Sequence, residues 1–215
     1  MLCVKKIKQQ RVISVIILKQ KIMKFYFTVA LATILMTGSS FAQHANIGFK
    51  AGLNSYNINN SNSSAYDSKL GFHVGMIGHI HLSKQLAFQP EIVYSSQGAK
   101  YTFLGTQTTV NLDYINIPLM LQYMFDNGFR LQAGPQVGFL ASAKSKTNNS
   151  NTDIKSNIKG IDLALGLGIG YIDTKSGFGV DARYNLGLSN INENTSSKST
   201  NDGFQFGVFY LLGHK

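Results

Sequence analysis

A strict alternation of apolar residues with small or polar ones recurs in eight segments of this chain and most constrains its fold. In the segment DLALGLGIGY, residues 162–171, leucine and isoleucine alternate with Gly166, Gly168 and Gly170. A dinucleotide-binding loop needs the spacing G-x-G-x-x-G between a strand and a helix, whereas this spacing is G-x-G-x-G and no amphipathic helix follows. A period of two instead predicts a β-strand with one apolar face and one nearly bare face.

The eight segments predict eight antiparallel strands. They cover residues 46–56, 69–82, 86–96, 111–125, 128–141, 162–171, 177–189 and 203–213. Tight polar turns fall at 83–85, 126–128 and 174–176. Longer loops rich in Asn, Ser and Thr fall near 55–68, 97–110, 142–157 and 190–202. Short turns at one end and long loops at the other are typical of an up-and-down meander, and an even number of strands suits a closed barrel.

The apolar face of these strands is predicted to point outward, to lipid. A soluble barrel packs its apolar face inside, but the interior of eight strands is only wide enough for side chains. Bulky apolar residues from every strand would crowd that interior, and the glycines would be left on the surface. The sequence therefore predicts an all-β, eight-stranded antiparallel up-and-down transmembrane β-barrel, with a soluble ligand-binding barrel as the alternative.

Six charged residues share the glycine-bearing face and are predicted to line the lumen. They are Lys50, Glu91, Arg130, Asp162, Asp181 and Arg183. Buried charges in so narrow a space need partners of opposite sign. We expect Asp181 beside Arg183, and Arg130 of the fifth strand beside Asp162 of the sixth. The prediction is a structural salt-bridge network, with a narrow porin-like channel as the alternative.

Tyrosines and prolines add two further expectations. Tyrosines cluster near many predicted strand ends, as in the aromatic girdles of membrane barrels: Tyr56, Tyr66, Tyr94, Tyr101, Tyr114, Tyr123, Tyr171, Tyr184 and Tyr210. All three prolines, Pro90, Pro118 and Pro135, fall inside predicted strands. Proline cannot donate to a strand ladder and a closed barrel has no edges, so we expect bulges or locally broken pairing there.

The first 42 residues predict an export signal. Translation is expected to start at Met23, which makes residues 1–22 a mis-assigned extension; a long basic n-region is the alternative. Lys24 then precedes an apolar run, and Ser40-Phe41-Ala42 supplies small residues at −3 and −1 of a cleavage site. The barrel domain is expected to span residues 43–215.

Charge is distributed unevenly along the chain, and this argues against nucleic acid as a partner. The formal net charge is +10. Seven of the 20 Lys and Arg residues lie in the predicted signal, which holds no acidic residue. The remainder carries 13 basic and 10 acidic residues, without the basic patch that nucleic-acid binding requires.

Histidines raise the possibility of a metal or an active site. His73, His79 and His81 share one face of the second predicted strand, and a pair at i and i+2 can hold a metal. No acidic or Cys partner lies near them in sequence, so we predict no metal and no cofactor. Some eight-stranded outer-membrane barrels are lipid-modifying hydrolases that use Ser, His and a carboxylate. We expect their His-x-Ser signature to be absent and do not expect that activity here.

Four segments resemble the PorT-like outer-membrane β-barrel family of Gram-negative bacteria: IGFKAGLN, YINIPLMLQY, GPQVGFLASAK and GFGVDARYNLGLSNI. The resemblance covers residues 44–215 and implies an integral outer-membrane protein with a structural or surface-interaction role. The last strand resembles a barrel-assembly signal at Gln205, Gly207, Tyr210 and Leu212, although the chain continues past it to Lys215. The partners so implied are outer-membrane lipid, the barrel-assembly machinery and an unidentified surface partner of four exposed loops.

Overall fold

A computed structural model describes residues 45–60, 66–148, 150–193 and 198–213, all within the unit His44–Lys215. The predicted signal sequence, its Met23 start and parts of three predicted loops lie outside the described residues. No helix in the described ranges is long and apolar enough to cross a membrane.

The described residues form nine antiparallel strands. These are β1 (Ala45–Asn60), β2 (Asp67–His81), β3 (Leu86–Phe103), β4 (Thr106–Met124), β5 (Phe129–Thr147), β6 (Ser150–Asp153), β7 (Ile161–Ile172), β8 (Phe178–Gly187) and β9 (Ser199–Leu211). A single 3-10 turn, Lys155–Asn157, follows β6.

Eight of these strands close into a ring. Each pairs with its neighbour along the chain, β5 pairs with β7, and β1 pairs with β9 to complete the circle. The short β6 pairs only with the far end of β5, beyond the residues that pair with β7. The predicted eight-stranded antiparallel barrel is therefore confirmed, with β6 as an addition outside the ring.

An apolar band, here called the membrane belt, surrounds the ring on its turn side. It comprises residues 47–53, 70–82, 86–94, 115–125, 129–139, 161–171, 178–188 and 204–212. Outward-facing side chains such as Leu53 and Phe206 are 67% and 57% exposed, whereas every Lys, Arg, Asp and Glu of the belt is buried. About ten residues per strand, tilted by roughly 40°, span roughly 25 Å, which is the height of the apolar band of membrane barrels.

On the loop side the barrel continues as a second band, here called the collar. It comprises residues 54–60, 97–103, 106–114, 140–147 and 199–203. In the collar Ile58 and Leu112 point inward and are buried, while Thr109 and Asp113 on the outer face are partly exposed. The collar therefore has the inside-outside arrangement of a soluble barrel.

The collar corrects the predicted long loops. Residues 97–110 form a hairpin with the two-residue turn Leu104-Gly105, and both of these residues have positive φ (47° and 78°), as a type I′ turn requires. Most of 142–157 is likewise strand or 3-10 turn. Alternation in fact continues through these segments, but with the apolar residues on the inward face.

The prolines interrupt strand pairing as expected. Each falls among residue pairs that the strand register skips: Pro90 between β2 and β3, Pro118 between β3 and β4, and Pro135 between β4 and β5. The missing N–H of proline explains the local loss of pairing. A separate irregularity in the β4–β5 register, between Asp113 and Tyr114, lies at the boundary of belt and collar.

Candidate functional site

Four of the six predicted lumen charges meet in the middle of the belt. Lys50 Nζ lies 2.5 Å from Asp181 Oδ2 and 3.8 Å from Glu91 Oε2. Arg183 Nη2 lies 2.6 Å from Glu91 Oε1 and 4.0 Å from Asp181 Oδ2. All four side chains are buried and their charges sum to zero. This group, here called the charge layer, includes the predicted neighbours Asp181 and Arg183.

Glutamine amides complete the charge layer. Gln89 Nε2 donates to Glu91 Oε1 at 2.8 Å, and Arg183 Nη2 donates to Gln132 Oε1 at 3.0 Å. Both hydrogen bonds are made by the two atoms that also form the closest Arg183–Glu91 contact, and they add polar partners to these buried charges. Sequence reasoning placed neither glutamine in the network, although both share the inward phase of their strands.

The glycines of β7 make room for these long side chains. A Cβ atom on Gly168 would lie 3.1 Å from Gln132 Cγ, and one on Gly170 would lie 3.1 Å from Arg130 Cγ. A Cβ on Gly166 would lie 3.3 Å from Arg183 Cδ. The alternating glycines thus form the bare inner surface against which the polar side chains of β5 and β8 lie.

Arg130 lies outside the charge layer. Its Nη1 donates to Gln122 Oε1 at 3.1 Å, and its guanidinium carbon lies 4.6 Å from the centroid of the Phe209 ring. Its side chain is 2% exposed. Arg130 is therefore held by a cation–π contact and an amide, and none of the ion pairs seen among the described residues includes it.

The predicted Arg130–Asp162 neighbourhood is wrong. Arg130 is opposite Gly170 in the β5–β7 register, and Asp162 is opposite Gly138. Antiparallel strands place the start of β5 beside the end of β7, so the two residues lie at opposite ends of the belt. Asp162 instead accepts a hydrogen bond from the Ser189 hydroxyl at 2.6 Å.

Two clusters of buried apolar side chains lie on either side of the charge layer. The turn-side plug consists of Ile77, Ile172, Phe209 and Leu211. The loop-side plug consists of Ile58, Ala99, Val110, Leu112, Tyr114, Leu140, Ala143 and Ile191. Buried polar side chains also lie beside both plugs, such as Asn54 and Gln97 on the loop side and Gln122 and Arg130 on the turn side. The lumen is therefore polar along its length, as predicted, and the two apolar plugs are an addition to that prediction. The loop-side plug was missed, although Thr108, Val110, Leu112 and Tyr114 alternate regularly.

Two of the predicted girdle tyrosines point inward. Tyr56 and Tyr114 are 1% and 0% exposed, and the Tyr56 hydroxyl accepts a hydrogen bond from Asn185 Nδ2 at 2.7 Å. Tyr123 and Tyr171 are exposed on the belt near its turn side, as predicted. The direction in which each of these tyrosines points is set by the inward or outward phase of its strand. A position near the end of a strand did not predict that direction.

The three histidines do not assemble a metal site. His73 Nδ1 lies 2.7 Å from Asn54 Oδ1, and the rings of His79 and His81 meet edge to face. No group of three possible metal ligands occurs among the described residues. Contrary to expectation, the spacing His-x-Ser, a signature of the outer-membrane lipid hydrolases, occurs at residues 81–83, and there Ser83 Oγ accepts the backbone N–H groups of a tight turn.

The residues of the predicted assembly signal divide between the two faces of β9. Gln205 and Gly207 face the lumen, with Gly207 opposite both Gly52 and Asp181. The Tyr210 ring packs on Phe178 at 4.5 Å between centroids, and the backbone N–H of Leu212 donates to Ile47 O at 2.7 Å. Their role in assembly stays a prediction.

A concave site, here called the cup, opens above the loop-side plug. Its volume is about 250 Å³. It is lined by Ile58, Tyr66, Tyr101, Val110, Ser145, Ile154, Asn157, Ile158, Ile191, Asn192 and Ser199. Barrel mouths are a common place for ligand sites. None of the cup residues was singled out as a binding residue from sequence, because all lie in segments read as polar loops.

The chain was compared with known proteins. The profile of a family described as "Outer membrane protein beta-barrel domain" matches residues 41–193. The crystal structure of Neisserial surface protein A matches with a TM-score of 0.51 at 15% identity, covering 77% of this chain and 97% of that one. Ail, the attachment invasion locus protein of Yersinia pestis, matches with a TM-score of 0.51 at 12% identity, covering 79% and 99%. No curated protein sequence matches the chain.

Proposed function

This chain belongs to the outer membrane protein β-barrel domain family, and from that premise we propose that it is a sealed barrel with a structural and surface-interaction role. The barrel anchors the protein in the outer membrane and presents the collar and its connections at the loop side. Its contribution is rigid presentation, since binding residues are commonly carried on loops held by a fixed scaffold.

The observation that carries this proposal is the pair of plugs. A conducting barrel needs an open polar path, and here a cluster of buried apolar side chains lies in the lumen above the charge layer and another lies below it. Phe209 and Leu112 are 4% and 0% exposed. The charge layer then serves to hold the strands of the belt together, and the narrow-channel alternative gains no support.

Further assignments extend the proposal. Within the family, the four sequence segments named above favour the PorT-like group. Export by the N-terminal signal is proposed on its n-region, apolar run and cleavage site. A lipid-modifying activity is not proposed, because Ser83 hydrogen-bonds within its own turn.

The first experiment is electrophoresis of the outer-membrane fraction, unboiled and boiled. A folded barrel resists detergent and migrates faster unboiled, so we expect a heat-dependent shift. Purified protein is then placed in a planar bilayer, where no discrete conductance steps are expected. As a positive control, Phe209→Ala combined with Leu112→Ala removes large side chains from both plugs. Steps from the wild-type protein equal to those of the double variant would refute a sealed lumen.

A further inference from the structure

We propose that the cup binds one ring of an uncharged saccharide. This inference rests on the proposed function, because it requires the loop side to face the cell exterior. It adds a ligand class and a set of residues to that function.

The position and size of the cup suit a small rigid ligand. Residues from β1, β3, β4, β5 and β9 and from their connections line it, so it lies at the mouth of the ring. Its floor is the upper surface of the loop-side plug, where Ile58, Val110 and Ile191 are buried. A volume of about 250 Å³ is smaller than the roughly 300–1,000 Å³ typical of drug-sized ligands, so the cup admits one sugar ring.

Two tyrosines form an aromatic wall of the cup. The rings of Tyr66 and Tyr101 meet edge to face, with centroids 5.6 Å apart and planes at 72°. Both side chains pack against the loop-side plug and remain partly exposed. The electron-rich face of an aromatic ring attracts C–H groups, and the C–H face of a pyranose ring presents several of these. An apolar floor beside tyrosine rings suits that face.

Amide and hydroxyl groups form the opposite side of the cup. Asn192 Nδ2 donates to Ser199 Oγ at 3.1 Å, and the backbone N–H of Ser199 donates to Asn190 Oδ1 at 2.9 Å. Asn192 also forms a bridge with Ile158. The hydrogen bond to Ser199 Oγ holds the side chain of Asn192 and the bridge to Ile158 holds its backbone before any ligand arrives, which lowers the entropic cost of binding. Such groups both donate and accept hydrogen bonds, as sugar hydroxyls require.

The charge of the lining selects among sugars. None of the described residues lining the cup is Lys, Arg, Asp, Glu or His. A sulfated or carboxylated sugar needs cationic donors to offset the desolvation of its charge, and the cup supplies none. Neutral hydroxyls require only neutral partners, so the cup favours uncharged sugars over acidic ones.

The test uses the full protein, folded in detergent, and saturation-transfer NMR. The probes are the methyl glycosides of glucose, galactose and N-acetylglucosamine, with glucuronic acid as a charged comparator and N-acetyl-leucine amide as an apolar one. We expect transfer to at least one neutral glycoside, with a Kd of about 1 mM. Transfer to the charged comparator is expected to be at least about tenfold weaker.

Two variants and one control locate the signal. Tyr101→Ala removes part of the wall, and Ser145→Phe fills the cup from its rim without truncating the plug. Each is expected to weaken binding at least about tenfold. Tyr171→Ala removes an exposed tyrosine of the belt and is expected to change nothing.

The inference is overturned if no neutral glycoside shows transfer, if either comparator binds more tightly, or if Ser145→Phe binds as the wild type does. The heat-dependent gel shift and cleavage of the loop side by added protease on intact cells are measured in parallel. If both succeed while sugar binding fails, only the cup assignment is lost. If protease cleaves nothing, the surface role itself fails.

Discussion

The membrane belt and the collar are built from the same strands and have opposite arrangements. On β4, Ile115, Leu119 and Leu121 face outward in the belt. On the same strand, Val110, Leu112 and Tyr114 face inward in the collar. The strand alternates throughout, and the apolar phase changes between Tyr114 and Ile115. The phase of the alternation, and not the alternation itself, therefore indicates whether lipid or water surrounds a given part of the barrel.

The two interiors follow from the two exteriors. In the belt the outer face is committed to lipid, so the charged and amide side chains point inside and must satisfy one another, and the turn-side plug packs beside them. In the collar the outer face is partly polar, and the inside combines the loop-side plug with hydrogen-bonded polar side chains such as Gln97 and Asn201. The buried ion pairs thus lie in the belt, and the larger apolar cluster lies in the collar.

Removing one charge from the charge layer is expected to destabilise the protein most. Glu91→Gln removes the carboxylate that pairs with Arg183 at 2.6 Å. We expect the free energy of unfolding to fall by about 3 kcal/mol, because removing one partner leaves the other charge buried and without its ion pair. The free energy is measured by urea titration of the protein in lipid vesicles. The double variant Glu91→Met with Arg183→Met is expected to recover most of the loss. A change under about 0.5 kcal/mol in the single variant would show that water reaches the layer.

A second prediction contrasts the outer faces of the two bands. Leu121→Arg puts a charge near the middle of the belt, where an outward arginine costs about 2–4 kcal/mol. Thr109→Arg puts the same charge on the collar of the same strand, where we expect a change within about 0.5 kcal/mol. Both are measured by the urea titration used for Glu91. Equal losses at the two positions would contradict the assigned boundary of the belt.

Arg130 is a buried charge outside the charge layer, and its replacement can be compared with that of Glu91. Its contacts are the Phe209 ring and the Gln122 amide, and a cation–π contact contributes about 0.5–2 kcal/mol. Arg130→Met keeps an apolar side chain against the ring, so we expect a loss of about 1 kcal/mol, smaller than that of Glu91→Gln. Unfolding of the two variants under identical conditions tests this order. A larger loss for Arg130→Met would place Arg130 within the charge layer.

The smallest expected effect lies in the turn between β7 and β8. Hydrogen bonds from Ser176 and the backbone of Lys175 lower the pKa of Asp173. The resulting stabilisation is present above the ordinary pKa of aspartate and is lost as the pH falls through the lowered folded value. Asp173→Ala is therefore expected to reduce the urea midpoint slightly at pH 6, and by progressively less as the pH falls below the ordinary pKa of aspartate. Asp126→Ala, in another turn, is the control, and an equal effect of the two substitutions would contradict this account.

The belt could be predicted from the sequence because lipid surrounds it on every strand, so that every second residue is apolar. The inward positions of Lys50, Glu91, Asp181 and Arg183 followed from that phase alone. The partners of these residues could not be predicted in this way, because identifying them requires the register between neighbouring strands. The Arg130–Asp162 error shows this, because both residues face inward yet lie at opposite ends of β5 and β7.

The collar and the cup could not be predicted by the same reasoning. Segments such as 97–110 are rich in turn-forming and polar residues, and composition alone favours a loop. Only the inverted alternation at Thr108, Val110 and Leu112 indicated a strand. The cup additionally needs residues far apart in sequence, such as Tyr66 and Asn192, to meet at one end of the ring.

The two plugs have a consequence for the number of barrels that one outer membrane can contain. Each open pore adds to the leakage of solutes through the envelope, so the abundance of a porin is limited by the permeability that the cell tolerates. A barrel sealed by Phe209 on one side and Leu112 on the other, as proposed, would add no such path. Its number in the membrane would then be limited by surface area and not by permeability.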